Sequence, residues 1–249
     1  MRKVANIFEP KASRILRTLL VDPDRRWTLR GLAGEVSISV GYTHAVVSRL
    51  LDSSYVTWTD DRFLMTIDPK RLLRRWAAYN QYDATNRFID YYALEREIDR
   101  FIRKLGKIEG HRYALTALAG ASLVAAYARP VDVHFYVRAQ GEVTRVAREL
   151  DLKPVPKGGN VKLVIPYDEG VFYGSQVVDG VTVVSDVQLY VDLYNYPSRG
   201  EEAAQYLYDR ILRKWARTLE ISRSQTAARI PYDSFRSESK RIRDHLRLS

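Results

Sequence analysis

Tyr42, His44, Ser48 and Arg49 are the side chains whose types and spacing most directly suggest chemistry. If Val40, Thr43, Val46, Val47 and Leu50 form the inward side of one helix, these four face outward beside Gly41 and Ala45. A short helix showing small and polar groups fits the major groove of DNA. There a guanidinium can donate two hydrogen bonds to guanine, and hydroxyls reach base edges or phosphates. Arg25, Arg26 and Arg30 flank the start of the preceding helix, where free backbone N–H groups favour a phosphate. The expected DNA contacts are therefore Arg25, Arg26, Arg30, Ser39, Tyr42, His44, Ser48, Arg49 and Arg62. Arg62 is chosen over the adjacent Asp60-Asp61 tip, which repels the phosphate backbone.

The elements that must position these groups follow from periodicity. Ala12, Ile15, Leu16, Leu19 and Leu20 predict a helix over 10–21, ended by Asp22-Pro23-Asp24. Thr28 is placed to cap a short helix with Leu29, Leu32, Ala33 and Val36 as its apolar face, and Ser37-Ile38-Ser39 breaks the chain before the reading helix. Val56 and Trp58, then Phe63, Met65 and Ile67, alternate as in a half-buried hairpin around a turn at 59–61. Two helices about a tight turn, followed by a hairpin, read as a winged helix-turn-helix. Asp68-Pro69 then supplies a cap and a first-turn proline for a helix lined by Leu72, Leu73, Trp76 and Ala77.

The polar stretch 80–86 is read as a domain boundary. Beyond it come a strand or helix start at 87–92 and a helix within 94–105. Strands at 112–115 and 131–137 flank a helix at 117–127. A helix at 142–150, a strand at 160–166 and a hairpin at 177–184 follow, the last turned by Asp179-Gly180 as a type I′ turn. Ser185 caps a helix running to Asn195, and another covers 200–219 with Ala203, Leu207, Ile211 and Trp215 inward. The expected fold class is α+β, a winged helix-turn-helix followed by a domain with an antiparallel or mixed sheet. The divisions are 1–80, 81–220 and a basic tail at 221–249, with a helix over 231–248. No internal repeat is visible.

A second chemistry competes for the 81–220 region. Gly120-Ala121-Ser122, then Asp132-Val133-His134, follows the layout in which a Gly-Ser turn cradles a triphosphate and two alternate carboxylates hold Mg²⁺ for nucleotidyl transfer. Here His134 stands at the second carboxylate position, and Ala121 interrupts the Gly-Ser pair. The expectation is a degenerate nucleotidyltransferase-like fold and not an enzyme, with transfer through Ser122 and Asp132 as the alternative. No P-loop, dinucleotide fingerprint, nucleophile elbow or zincin motif is present. His44, His111, His134 and His245 lack metal-site spacing. Asp168-Glu169 read as turn residues, and the tyrosines between 190 and 208 as core and interface. No metal or cofactor is expected.

Composition agrees. The 249-residue chain is 46% hydrophobic, carries a net charge of +10 and has no cysteine. Disulfides, Fe–S clusters, zinc fingers and thiol catalysis are excluded. Residues 1–80 hold 14 basic against 8 acidic side chains, 81–220 hold 19 of each, and 221–249 hold 7 against 3. Cations thus concentrate at the two ends, where counterion release would favour nucleic acid over a membrane. The longest apolar run, 114–128, is interrupted by Thr116, Gly120 and Ser122, and the N-terminus lacks a signal-peptide core; the expected location is the cytoplasm.

Five segments then align with a known arrangement: 114–122 (ALTALAGAS), 129–137 (RPVDVHFYV), 168–174 (DEGVFYG), 184–193 (VSDVQLYVDL) and 200–204 (GEEAA). Following the winged helix in this order, they resemble the AbiEi family of antitoxins from type IV toxin–antitoxin systems over residues 10–220. The resemblance implies promoter binding through the N-terminal module and repression of an antitoxin–toxin operon. It also implies a functional link to a nucleotidyltransferase-like toxin, opposed without a stable complex. A winged-helix adaptor for a protein partner is a third reading, and binding as a homo-oligomer on DNA is left open.

Overall fold

The computed structural model describes residues 6–125, 130–197 and 199–228, with side chains as far as 217. Residues up to Ile211 form one compact unit, and Leu212 onward a second. The predicted helix at 231–248 lies outside the described residues.

The chain opens with α1 (Pro10–Val21), α2 (Leu29–Glu35), α3 (Val40–Asp52) and the antiparallel hairpin β1 (Val56–Trp58) and β2 (Leu64–Thr66). Proline at the first turn begins α1, and its apolar stripe is wholly buried. The stripe packs toward α3 and α4 (Pro69–Tyr79). Asp68 caps α4 by accepting from the Arg71 N–H, and Leu72, Leu73, Trp76 and Ala77 are buried as the pattern predicts.

Two of these helices end without glycine. At the end of α2, Ser37 takes a left-handed φ of 53°, its N–H donates to Gly34 O, and the Ile38 N–H donates to Ala33 O. At the end of α3, Ser54 (φ 55°) donates to Leu51 O and Tyr55 to Leu50 O. Both are Schellman closures, usually built on glycine. The hydrogen bonds offset the roughly 1 kcal/mol that a side chain costs in this conformation.

The hairpin differs from its predicted phase. Trp58 pairs with Leu64 and Val56 with Thr66. Leu64 and Thr66 are therefore buried, whereas Met65 is half-buried and Ile67 exposed. The loop is Asp60-Asp61-Arg62, with Arg62 left-handed at φ 62°. That is one residue later than the predicted turn, and a one-residue slip exchanges the two faces of a strand. Val40, placed inward by the periodicity, is 43% exposed, because the first turn of α3 projects past its partner helices.

The stretch 80–86 forms α5 (Tyr82–Thr85), and its ends are buried rather than solvated. Asn80 Nδ2 donates to Val191 O, and Asn195 Nδ2 donates to Asn80 O.

Next come β3 (Arg87–Tyr92), α6 (Ile98–Leu105), β4 (Tyr113–Thr116), α7 (Ala117–Ala125), β5 (Val133–Val137), α8 (Gln140–Glu149), β6 (Lys153–Pro154) and β7 (Val161–Ile165). A 3-10 turn (Glu169–Phe172), β8 (Gln176–Val178), β9 (Val181–Val183), α9 (Asp186–Leu193) and α10 (Gly200–Ala228) complete the described chain. The seven strands form one mixed sheet in the order β6-β3-β7-β5-β4-β9-β8. Every residue of β4 and β5 is buried, the signature of central strands covered on both faces. Asp179 (φ 49°) and Gly180 (φ 80°) make the expected type I′ turn, and Ser185 caps α9 through the Gln188 N–H. The fold is α+β. Helix α9 contacts α1, α4 and α7, and so ties the first helices to the sheet.

Candidate nucleic-acid interface

The α2–turn–α3 segment is fixed locally at each joint. Thr28 Oγ1 accepts from the Gly31 N–H at 3.0 Å, and Ser39 Oγ accepts from the Tyr42 N–H at 3.4 Å. Thr43, Val46, Val47 and Leu50 are buried, so the opposite side of α3 is set outward. There Gly41, His44 and Arg49 are exposed, and Tyr42, Ala45 and Ser48 are half-buried. The Ser48 hydroxyl donates to His44 O at 2.9 Å, which leaves only its acceptor lone pairs for a ligand. The backbone before α2 pairs with β2 through Trp27 and Leu64, whose N–H groups donate to each other's carbonyls. This bridge seats the hairpin against the helix pair.

The expected contact residues divide into two groups. Arg26, Arg30, Arg49 and Arg62 are exposed with no ion-pair partner among the described residues, and are free to meet phosphates or bases. Arg25 is engaged: its guanidinium lies 3.8 Å from the Trp27 ring centroid and 3.7 Å from the Glu35 carboxylate. Tyr42 is engaged as well. Its hydroxyl donates to the Glu9 carboxylate, with the Lys11 ammonium 5.2 Å from its ring. Burial first, and Glu9 second, push the Tyr42 hydroxyl well above the ordinary tyrosine pKa. The hydroxyl proton is thus committed, which leaves the ring and the oxygen's acceptor lone pairs for a ligand; Glu9 lies too far away in sequence for the helical pattern to reveal this.

The residues of the nucleotidyl-transfer alternative all have partners within the fold. Ser122 Oγ donates to Ala119 O within its own helix at 2.9 Å. Gly120 is a packing position, since a Cβ there would lie 2.7 Å from Leu189 Cδ2 and 3.2 Å from Leu115 O. Gly120→Ala is expected to lower stability by about 1–3 kcal/mol in urea denaturation; an unchanged midpoint would mean that α7 and α9 separate easily. His134 is 3% exposed and uses both ring nitrogens, at 3.0 Å from Asp132 Oδ2 and 3.2 Å from the Tyr82 hydroxyl. Burial opposes ionisation of Asp132, but His134 and then Lys162 outweigh it and hold its carboxyl below the usual range. No group of three or more His, Asp or Glu side chains is arranged to hold a metal among the described residues.

Sequence reasoning missed a buried polar seam between α1 and the sheet. Arg17, fully buried, donates from Nε to Gln188 Oε1 at 2.7 Å and from Nη2 to the Tyr167 hydroxyl at 2.9 Å. Gln188 Nε2 donates to Asp192 Oδ1 at 2.7 Å; Thr116 and Tyr136 hydroxyls donate to Asp192 Oδ2 at 2.6 and 3.1 Å. Arg14 Nε reaches both Asp168 oxygens, at 2.7 and 3.0 Å. The available signal was helical spacing: Ser13 and Arg17, and Gln188 and Asp192, each four residues apart on otherwise apolar helices.

A family model described as transcriptional regulator, AbiEi antitoxin, type IV TA system matches residues 65–213. All five segments carrying the resemblance fall inside that span, which starts in β2 and leaves α1 to α3 outside. No curated protein and no solved structure gives a significant match. Five of the seam's residues, Thr116, Tyr136, Asp168, Gln188 and Asp192, lie within those segments. By this match the chain belongs to the AbiEi family of antitoxin transcriptional regulators of type IV toxin–antitoxin systems.

Proposed function

We propose that this regulator binds the operator of its own antitoxin–toxin operon and represses it. Residues 10–67 act as a winged helix with α3 as the reading helix. In this reading residues 1–80 form the DNA-reading part and 81–220 the antitoxin part, working in the cytoplasm against a nucleotidyltransferase-like toxin. The observation that carries it is the outward side of α3: a capped helix, held by a buried opposite side, presents the His44 and Arg49 side chains with no partner among the described residues. Arg49 is suited to guanine or phosphate. Arg26 and Arg30 sit at the start of α2, where phosphate binding adds affinity without reading sequence.

Fluorescence anisotropy on the upstream DNA and a scrambled duplex, at two salt concentrations, tests the reading. Binding to the upstream DNA should survive the higher salt while binding to the scrambled duplex is lost. Arg49→Ala should weaken upstream binding by roughly ten- to a hundredfold, the equivalent of about 1–3 kcal/mol. Tyr42→Phe should change it little, because Glu9 already holds that hydroxyl. Equal, salt-sensitive binding to both duplexes would sink the operator assignment.

A further inference from the structure

A cavity of about 170 Å³ lies between the end of α2 and the 3-10 turn Glu169–Phe172. Arg14 and Thr18 of α1 and Glu35 line it on one side, with Arg112, Glu169 and Tyr173 on the other. We propose that this cleft is a binding site for a small anion, a carboxylate or phosphate, gripped between the Arg14 and Arg112 guanidinium groups.

The hydrogen-bond inventory supports an anion. Arg14 meets Asp168 only through Nε, so among the described residues its Nη groups have no protein acceptor. Arg112 is exposed, stacks 4.8 Å from the Phe172 centroid and has no carboxylate partner among the described residues. The acidic side chains at the cleft are already engaged. Glu35 accepts from the Tyr173 hydroxyl at 2.9 Å and faces Arg25, and Glu169 faces Arg138 at 3.5 Å. With each carboxylate already facing another donor or cation, the Arg14 Nη groups and the Arg112 guanidinium are left as the charged donors of the cleft, the kind that binds an oxyanion most strongly.

Two further features suit a ligand. The Thr18 hydroxyl, 1% exposed, lies beside the Tyr173 hydroxyl but has no well-formed hydrogen bond among the described residues. Such a buried group ordinarily finds a partner. Gly170 also lines the cleft, and it must be glycine because a Cβ would come within 2.6 Å of Arg17 Nη1 and 2.8 Å of Asp168 Oδ1, which lets the 3-10 turn pack closely on α1. The cleft also touches Val36 and Ser37, the turn into α3, so an occupant is placed to alter DNA affinity. That regulatory consequence rests on the DNA reading above; the anion site does not.

The test is isothermal titration of the full chain with inorganic phosphate and, separately, malonate, without DNA and at ionic strength fixed with sodium chloride. One saturable site is expected, and the stronger titrant identifies the anion class. Arg112→Gln, an exposed substitution, should weaken it about tenfold, as loss of a charged hydrogen bond does. Arg145→Gln, an exposed cation on α8, should leave it unchanged. Absence of saturable heat, or equal losses in the two variants, would overturn the site. Anion binding that persists where operator binding fails would retain the site and reject only the DNA reading.

Discussion

Replacing Arg17 by alanine should lower the stability of the folded chain by about 3–5 kcal/mol, the cost of removing one member of a buried charged network. Arg17 is fully buried and meets no carboxylate directly. Its charge is supported by Gln188 at 2.7 Å, Tyr167 at 2.9 Å, Ser13 O at 3.4 Å and the Trp76 ring at 5.0 Å. Gln188 in turn presents its amide N–H to Asp192, so one residue relays between the guanidinium and the carboxylate. Truncation leaves Gln188 Oε1 without its donor, empties the volume against Trp76 and removes the cation nearest Asp192. Arg17→Met should fall between alanine and the native chain, because it restores packing but not the donors. Urea denaturation followed by tryptophan fluorescence measures both. A loss below about 1 kcal/mol for alanine would mean that water replaces the guanidinium at little cost.

The effect should extend to DNA binding. Helix α1 turns its apolar stripe to α3 and α4 and its polar stripe, Ser13, Arg14 and Arg17, to Tyr167, Asp168 and Gln188. It packs on α3, α4, α9 and the 3-10 turn at once. Loosening the polar stripe would disturb the seat of α3 without touching any of the proposed DNA contacts.

What the sequence disclosed follows the range of each interaction. Helix α1 was legible residue by residue because five leucine, isoleucine and alanine positions repeat at helical spacing. The Thr28, Asp68 and Ser185 caps and the Asp179-Gly180 turn were legible because cap and target lie within three residues. The hairpin phase was lost to a single residue, Arg62, whose left-handed conformation carries no glycine signal. The engagement of the Tyr42 hydroxyl was not legible because Glu9 is 33 residues away, and the seam escaped because Arg17 and Gln188 are 171 apart. The outward side of α3 could therefore be read from the chain, while which of its side chains are already engaged depends on tertiary packing.

Between pH 5 and pH 8 the folded chain should lose about 2–3 kcal/mol of stability through Asp192 alone. Full burial pushes this carboxyl up to about 7, although hydrogen bonds from Thr116, Gln188 and Tyr136, and the charge of Arg17, favour its ionised form. In the unfolded chain it titrates near the ordinary value of about 4. Between those two values the folded chain keeps a proton that the unfolded chain has released, so stability declines with rising pH, by about 1.4 kcal/mol per unit. Below about pH 4 both states hold the proton, and above about pH 7 both have lost it, which completes the penalty. Urea midpoints of the native chain and Asp192→Asn, taken at pH 5, 6, 7 and 8, isolate this contribution because other titrations cancel in the difference. The asparagine amide would set an N–H against the Gln188 donor or a hydroxyl, a cost that does not vary with pH. The two curves should converge or cross as pH rises; curves that stay parallel would show that Asp192 ionises normally inside the fold, with Arg17 and its three donors outweighing burial.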